Sequence, residues 1–199
     1  MRSPARLKYS LVLAVIAVSA LVLLAWSRDW FVFTLAGGSA ERIPVPGAVA
    51  APALSALALA GIALAAALAI AGPVFRVLLG ALQVVLGGCV VLSASLALAN
   101  PVAAGARAVT DSTGVDGAES IAALVTATSG GVWPAVTLAL GGLASLLGVA
   151  VLATFRRWPT TSRRYSAVRF EDAPAEGRDA SVSDWDTLSD GRDPTGGDR

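Results

Sequence analysis

Histidine is absent from this chain, and cysteine and lysine occur once each, as Cys89 and Lys8. Without imidazole there is no histidine-based triad and none of the usual zinc ligand sets, and a lone cysteine excludes a disulfide within the chain. Charge is scarce as well. Only 15% of the 199 residues are charged while 55% are hydrophobic, and the mean hydropathy of +0.70 argues against a soluble domain. The few charges are gathered, leaving uncharged runs at 9–27, 43–75, 77–106 and 120–155. Each run is about as long as the roughly 20 residues a helix needs to cross a hydrocarbon core of about 30 Å, or longer. A buried helix of a soluble protein rarely stays uncharged for so long. The chain therefore reads as an all-α membrane protein, a bundle of four transmembrane helices.

Helices are expected at about 9–26, 52–71, 77–99 and 133–155, making 1–155 the transmembrane domain and 156–199 a largely disordered cytoplasmic tail. Arg2, Arg6 and Lys8 precede the first apolar run, and Ala25-Trp26-Ser27 closes it. That arrangement also fits a cleavable signal segment, but the run exceeds a typical signal core, and Trp26 and Trp30 look like an interfacial anchor. The first loop reads as a short β-hairpin: Trp30 to Leu35, a turn through Gly37-Gly38, then Glu41 to Val45, ended by Pro44 and Pro46. Pro52 suits the first position of the second helix. Gly72-Pro73 to Arg76 is a tight connection that makes helices two and three antiparallel neighbours. The second loop, 100–131, is rich in Gly, Ser and Thr and carries Arg107, Asp111, Asp116 and Glu119. A weak internal repeat aligns Leu57-Ala58-Leu59 and Gly61 with Leu138-Ala139-Leu140 and Gly142, although Ala/Leu-rich helices also match by chance.

Basic residues set the expected orientation. Arg2, Arg6, Lys8, Arg76, Arg156, Arg157, Arg163, Arg164 and Arg169 flank one set of helix ends, while only Arg28, Arg42 and Arg107 flank the other. Nine against three, at alternating connections, places both termini in the cytoplasm. Within the spans Gln83 is the sole amide, and it reads as interhelical glue beside hydroxyls such as Ser93, Thr137 and Ser145. An ion-coupled carrier normally holds an intramembrane ionisable group, and these spans contain none. On the outer face Arg28, Asp29 and Trp30 have the chemistry to hold a zwitterionic aromatic amino acid, guanidinium to carboxylate and ring to ring. The plainer reading is an aromatic belt with flanking charges. No catalytic residue, cofactor, metal set or nucleic-acid partner is expected. The first partner is the lipid bilayer, and the oligomeric state is not readable.

The tail has two halves. Residues 156–170 hold five arginines with Trp158, Tyr165 and Phe170, a composition suited to anionic headgroups. Residues 171–199 turn acidic, with nine Asp/Glu against Arg178, Arg192 and Arg199. There Ser183-Asp184-Trp185-Asp186-Thr187-Leu188 suits one capped helical turn with Trp185 and Leu188 on one face, an apolar anchor in a polar tail.

Several segments together resemble a known family. Trp26-Ser27-Arg28-Asp29-Trp30 follows the first helix, Pro52-Ala53-Leu54 opens the second, and Arg157-Trp158-Pro159 to Arg164-Tyr165 follows the fourth. Trp185-Asp186-Thr187-Leu188-Ser189-Asp190-Gly191-Arg192-Asp193-Pro194-Thr195 closes the chain. In these segments the chain resembles the tryptophan-biosynthesis-associated membrane proteins of actinobacteria. Ser189 stands where the family pattern leads one to expect Asp, and Arg192 where it leads one to expect Glu. The resemblance implies a membrane protein tied to tryptophan biosynthesis and carries over no catalytic residues; with the tail, the chain reads as a non-catalytic plasma-membrane adaptor or regulator. Its tail residues Trp185, Leu188, Asp190, Gly191, Asp193 and Pro194 would dock a cytosolic tryptophan-biosynthesis enzyme. The alternative is a small carrier or exporter of tryptophan or a related aromatic metabolite.

Overall fold

The computed structural model describes residues 4–36 and 42–158. Four helices are long and apolar enough to cross a membrane: α1 (Pro4–Trp26), α3 (Ala53–Ile70), α4 (Pro73–Ala99) and α7 (Trp133–Thr154). A single turn, α2 (Gly47–Ala50), precedes α3, and a 3-10 turn at Phe155–Arg157 extends α7. Pro52 sits just outside α3 as its N-cap, one residue short of the expected first position, whereas Pro73 opens α4 directly. Arg76 therefore lies in the first turn of α4, not in a connection. α1 packs on α3 and α7, and α4 packs on the same two, so α1 and α4 face each other across the diagonal of the bundle.

In the most apolar stretch of each span only 28–33% of the residues are buried. The outside is leucine and valine, with Leu13, Leu59, Leu82, Leu92 and Leu146 all exposed. Lipid tails are as apolar as leucine, so such helices gain little by hiding these side chains from lipid and associate through close packing. The α4–α7 interface supplies it. Gly80 and Gly87 on α4, two turns apart, oppose Gly148 and Gly141 on α7. A methyl placed on Gly148 would lie 2.7 Å from Val84 N and 2.9 Å from Gly80 O; one on Gly141 would lie 2.9 Å from Val91 N. The two backbones are in contact. Ser145 Oγ donates across to Val84 O at 3.3 Å, and Gln83 Nε2 to Ala144 O at 3.4 Å. The repeat-aligned glycines are not equivalent: Gly61 abuts Ser19 of α1, while a methyl on Gly142 would meet open space.

At one end of the bundle sits a small ordered lobe. The expected hairpin is present as β1 (Asp29–Leu35) and β2 (Arg42–Pro46), antiparallel, with Phe33 opposite Ile43 and Phe31 opposite Val45. The second loop is not the irregular segment its composition implies. It forms α5 (Pro101–Thr113), α6 (Ala118–Leu124) and β3 (Val125–Gly130), and β3 pairs antiparallel with the free side of β1 to give the order β2-β1-β3. Asn100 starts α5 by accepting Ala103 N at 3.1 Å, with Pro101 in the first turn, and Gly114 at φ 71 ends it in the left-handed conformation that favours glycine. Phe31, Phe33, Ile43, Val45, Val109 and Ile121 form a core continuous with Ala58, Val90 and Ala94 of the bundle. Gly105 lets α5 lie directly on the sheet, since a methyl there would fall 2.5 Å from the Phe33 ring.

Candidate functional site

Of the residues expected to form a ligand site on this lobe, Arg28 and Asp29 are exposed and Trp30 is not. Trp30 is fully buried, its Nε1 donating to Ala25 O at 2.8 Å, and Gly47 is packed beneath it with 2.6 Å between a built methyl position and Nε1. The ring that was to stack on a ligand is thus a structural wedge between α1 and the sheet, and Trp30 is no part of an aromatic belt. Phe31 and Phe33 are buried as well. The Arg28 guanidinium lies 5.7 Å from the centroid of the Trp133 ring, a cation–π pair that ties the end of α1 to the start of α7. The ring beside Arg28 is thus Trp133 and not Trp30.

Sequence reasoning did not single out an open cleft of about 430 Å³ between α5 and α6, lined by Asn100, Val102, Ala106, Arg107, Asp116 and Ile121 among others. Its polar groups are largely committed elsewhere. Asn100 Oδ1 caps α5, Thr110 Oγ1 donates to Val115 O at 3.0 Å, and Arg107 pairs with Asp111 at 3.8 Å in open solvent.

The opposite end of the bundle gathers its cations. Arg76 is 1% exposed. Its Nε donates to Ala71 O at 2.9 Å, one terminal nitrogen to Trp158 O at 3.4 Å, and its guanidinium lies 5.3 Å from the Trp158 ring centroid. Lys8 Nζ donates to Ala69 O. Both cations thus satisfy carbonyls left unpaired at the C-terminal end of α3, where the helix dipole favours positive charge. A cation in the first turn of α4 is disfavoured by that helix, and the α3 terminus and the Trp158 ring offset this for Arg76. Trp158, expected among lipid headgroups, is buried with Val12, Val15, Ala65, Leu68 and Val151. The proposed docking residues Trp185, Leu188, Asp190, Gly191, Asp193 and Pro194 lie outside the described residues.

Between the ends, the centre of the bundle is nearly full. Residues from all four spanning helices surround a cavity of about 20 Å³, among them Ser19, Gly61, Gln83 and Ala144. Among the described residues no three His, Cys, Asp or Glu side chains come together.

Four apolar spans around a glycine-packed interface, with an ordered lobe at one end, define a multi-pass membrane protein. The sequence profile of the tryptophan-associated transmembrane proteins matches residues 12–195. The chain belongs to that family. No curated protein and no solved structure matches it.

Proposed function

We propose that this protein is a non-catalytic membrane adaptor or regulator of tryptophan biosynthesis, its C-terminal tail holding a soluble biosynthetic enzyme at the cytoplasmic face. The observation that carries the reading is the filled bundle centre. Small-molecule sites typically occupy about 300–1,000 Å³, whereas the cavity here is about 20 Å³ and the α4 and α7 backbones touch. The central cavity of a single copy therefore has no room for an aromatic amino acid, which weighs against the carrier alternative. Nine basic residues against three support cytoplasmic termini. The tail supplies the docking chemistry: Trp185 and Leu188, three residues apart, stand in an acidic segment with Asp190, Gly191, Asp193 and Pro194 behind them. About 27 residues separate Trp158 from Trp185; a flexible segment of that length would reach roughly 30 Å, enough to tether an enzyme close to the membrane and raise its effective concentration there.

The test uses a deletion strain complemented with the full chain, with Trp185→Ala/Leu188→Ala, or with a truncation after Arg169. Both variants are expected to reach the membrane at normal abundance, to lose the co-purifying tryptophan-biosynthesis enzyme and to fail in complementation. Complementation by the truncated chain refutes the adaptor reading. Accumulation of labelled tryptophan inside cells of the deletion strain, reversed by the truncated chain, establishes the carrier instead.

A further inference from the structure

Ser19 of α1 and Gln83 of α4 are 7% and 3% exposed and line the central cavity from opposite corners of the bundle. Gln83 uses its amide nitrogen on Ala144 O, and its carbonyl oxygen Oε1 has no hydrogen-bond partner among the described residues. That orientation is fixed chemically, because only the NH₂ group can donate to a carbonyl, and a flipped amide would set oxygen against oxygen. A strong acceptor is thus left in the middle of a span, where lipid offers no donor. Ser19 Oγ makes no hydrogen bond to any described residue either. Gly61 of α3 makes the room, since a methyl there would strike Ser19 Oγ.

A buried water needs about 10–15 Å³ of accessible space and two to four polar partners. The cavity of about 20 Å³ meets the first condition, and Gln83 Oε1 with Ser19 Oγ meets the second. We propose that this cavity is a binding site for one water molecule. The water donates one hydrogen to Gln83 Oε1 and exchanges its second hydrogen bond with Ser19 Oγ. It joins α1 to α4 across the diagonal, where these helices make no extensive direct contact. A polar bridge at one depth of an otherwise apolar bundle also fixes the axial register of α1 against α4, which Ala and Leu side chains specify poorly. The inference rests on the bundle alone and not on what the tail binds.

Water-edited solid-state NMR on the full chain in liposomes tests it, read at the side-chain amide of Gln83 against the lipid-facing Leu82 amide. Gln83 is expected to receive magnetisation from a water exchanging slowly with bulk, while Leu82 receives none. Ser19→Val fills the cavity with a methyl and is expected to abolish the transfer and shift the Gln83 amide resonance, with the other α4 signals unmoved. A dry Gln83 in the unsubstituted protein overturns the proposal and leaves the closed bundle standing. Transfer unchanged in Ser19→Val also overturns it. Rapid exchange with bulk at Gln83 and its neighbours along α4 overturns it too, and in that case the closed-bundle argument falls with it because a continuous water file crosses the span.

Discussion

Replacing Gly87 by alanine isolates the energy of the α4–α7 contact. The added methyl would stand 2.5 Å from Ser145 N and 2.8 Å from Gly141 O, and against Ser145 Oγ as well. Carbon and nitrogen or oxygen atoms rest near 3.5 Å apart, so the helices must separate by roughly 1 Å, and a gap of that size forfeits a quarter to a half of each dispersion contact along the seam. Overpacking of this kind costs about 1–3 kcal/mol. Alanine also raises helix propensity by about 0.8–1.0 kcal/mol, which would mask part of the loss. Gly88 provides the correction: it is the next residue on the same helix, and a methyl there meets nothing within 4 Å. The difference between Gly87→Ala and Gly88→Ala therefore reports packing alone, and about 1–3 kcal/mol of destabilisation is expected. Reversible SDS titration of the purified chain in mixed micelles, followed by helical circular dichroism, measures it. Adding Ser145→Gly should not rescue Gly87→Ala, because two of the three clashes are with backbone. If Gly87→Ala and Gly88→Ala unfold at the same point, the two backbones are not in contact.

Arg76→Met removes the hydrogen bonds to Ala71 O and Trp158 O and the ring contact; a loss of about 2–4 kcal/mol in the same titration is expected, with a red-shifted Trp158 emission as water reaches the ring. Unchanged emission would mean that Arg76 does not hold Trp158 in place. Reporter fusions after residues 40 and 115 should lie outside the cell and those after 74 and 180 in the cytoplasm, and a cytoplasmic signal at 115 refutes the proposed orientation.

The four spans are legible in the sequence because a charge inside lipid is costly, so long uncharged runs mark them without any knowledge of packing. The β1–β2 hairpin is legible because it is local, with alternating residues on either side of Gly37-Gly38 in the sequence. β3 is not: its partner β1 lies some ninety residues earlier, and Val125-Thr126-Ala127-Thr128-Ser129-Gly130 carries too little apolar alternation to declare itself. α5 and α6 escape for a related reason. The Gly, Ser, Thr and Asp around them mark a loop, and α5 settles as a helix where Gly105 and Val109 meet the Phe33 face of the sheet. The Gly80/Gly87 and Gly141/Gly148 pairs do leave a signal, the seven-residue spacing on two helices that run antiparallel. A search for equal spacings of small residues would have found that seam.

Trp30 shows why the candidate site was harder to read than the fold. Tryptophan next to arginine and aspartate at a helix end has one composition whether it faces headgroups, a ligand or a core, and only the sheet folding back over α1 decides for the core. Arg76 is the reverse case. As a charge between two spans it reads as a marker of orientation, yet it is also the residue that draws Trp158 down onto the bundle. Gln83 stands between these. As the sole amide in a span it is legible as interhelical glue, and half of it behaves so, through Ala144 O. The other half of the amide shares a cavity with Ser19, 64 positions earlier on the helix diagonally opposite, and a pair joined through water leaves no spacing in the sequence to find. The residues that make this bundle one structure and not many are thus the ones whose partners are distant in sequence or not protein at all.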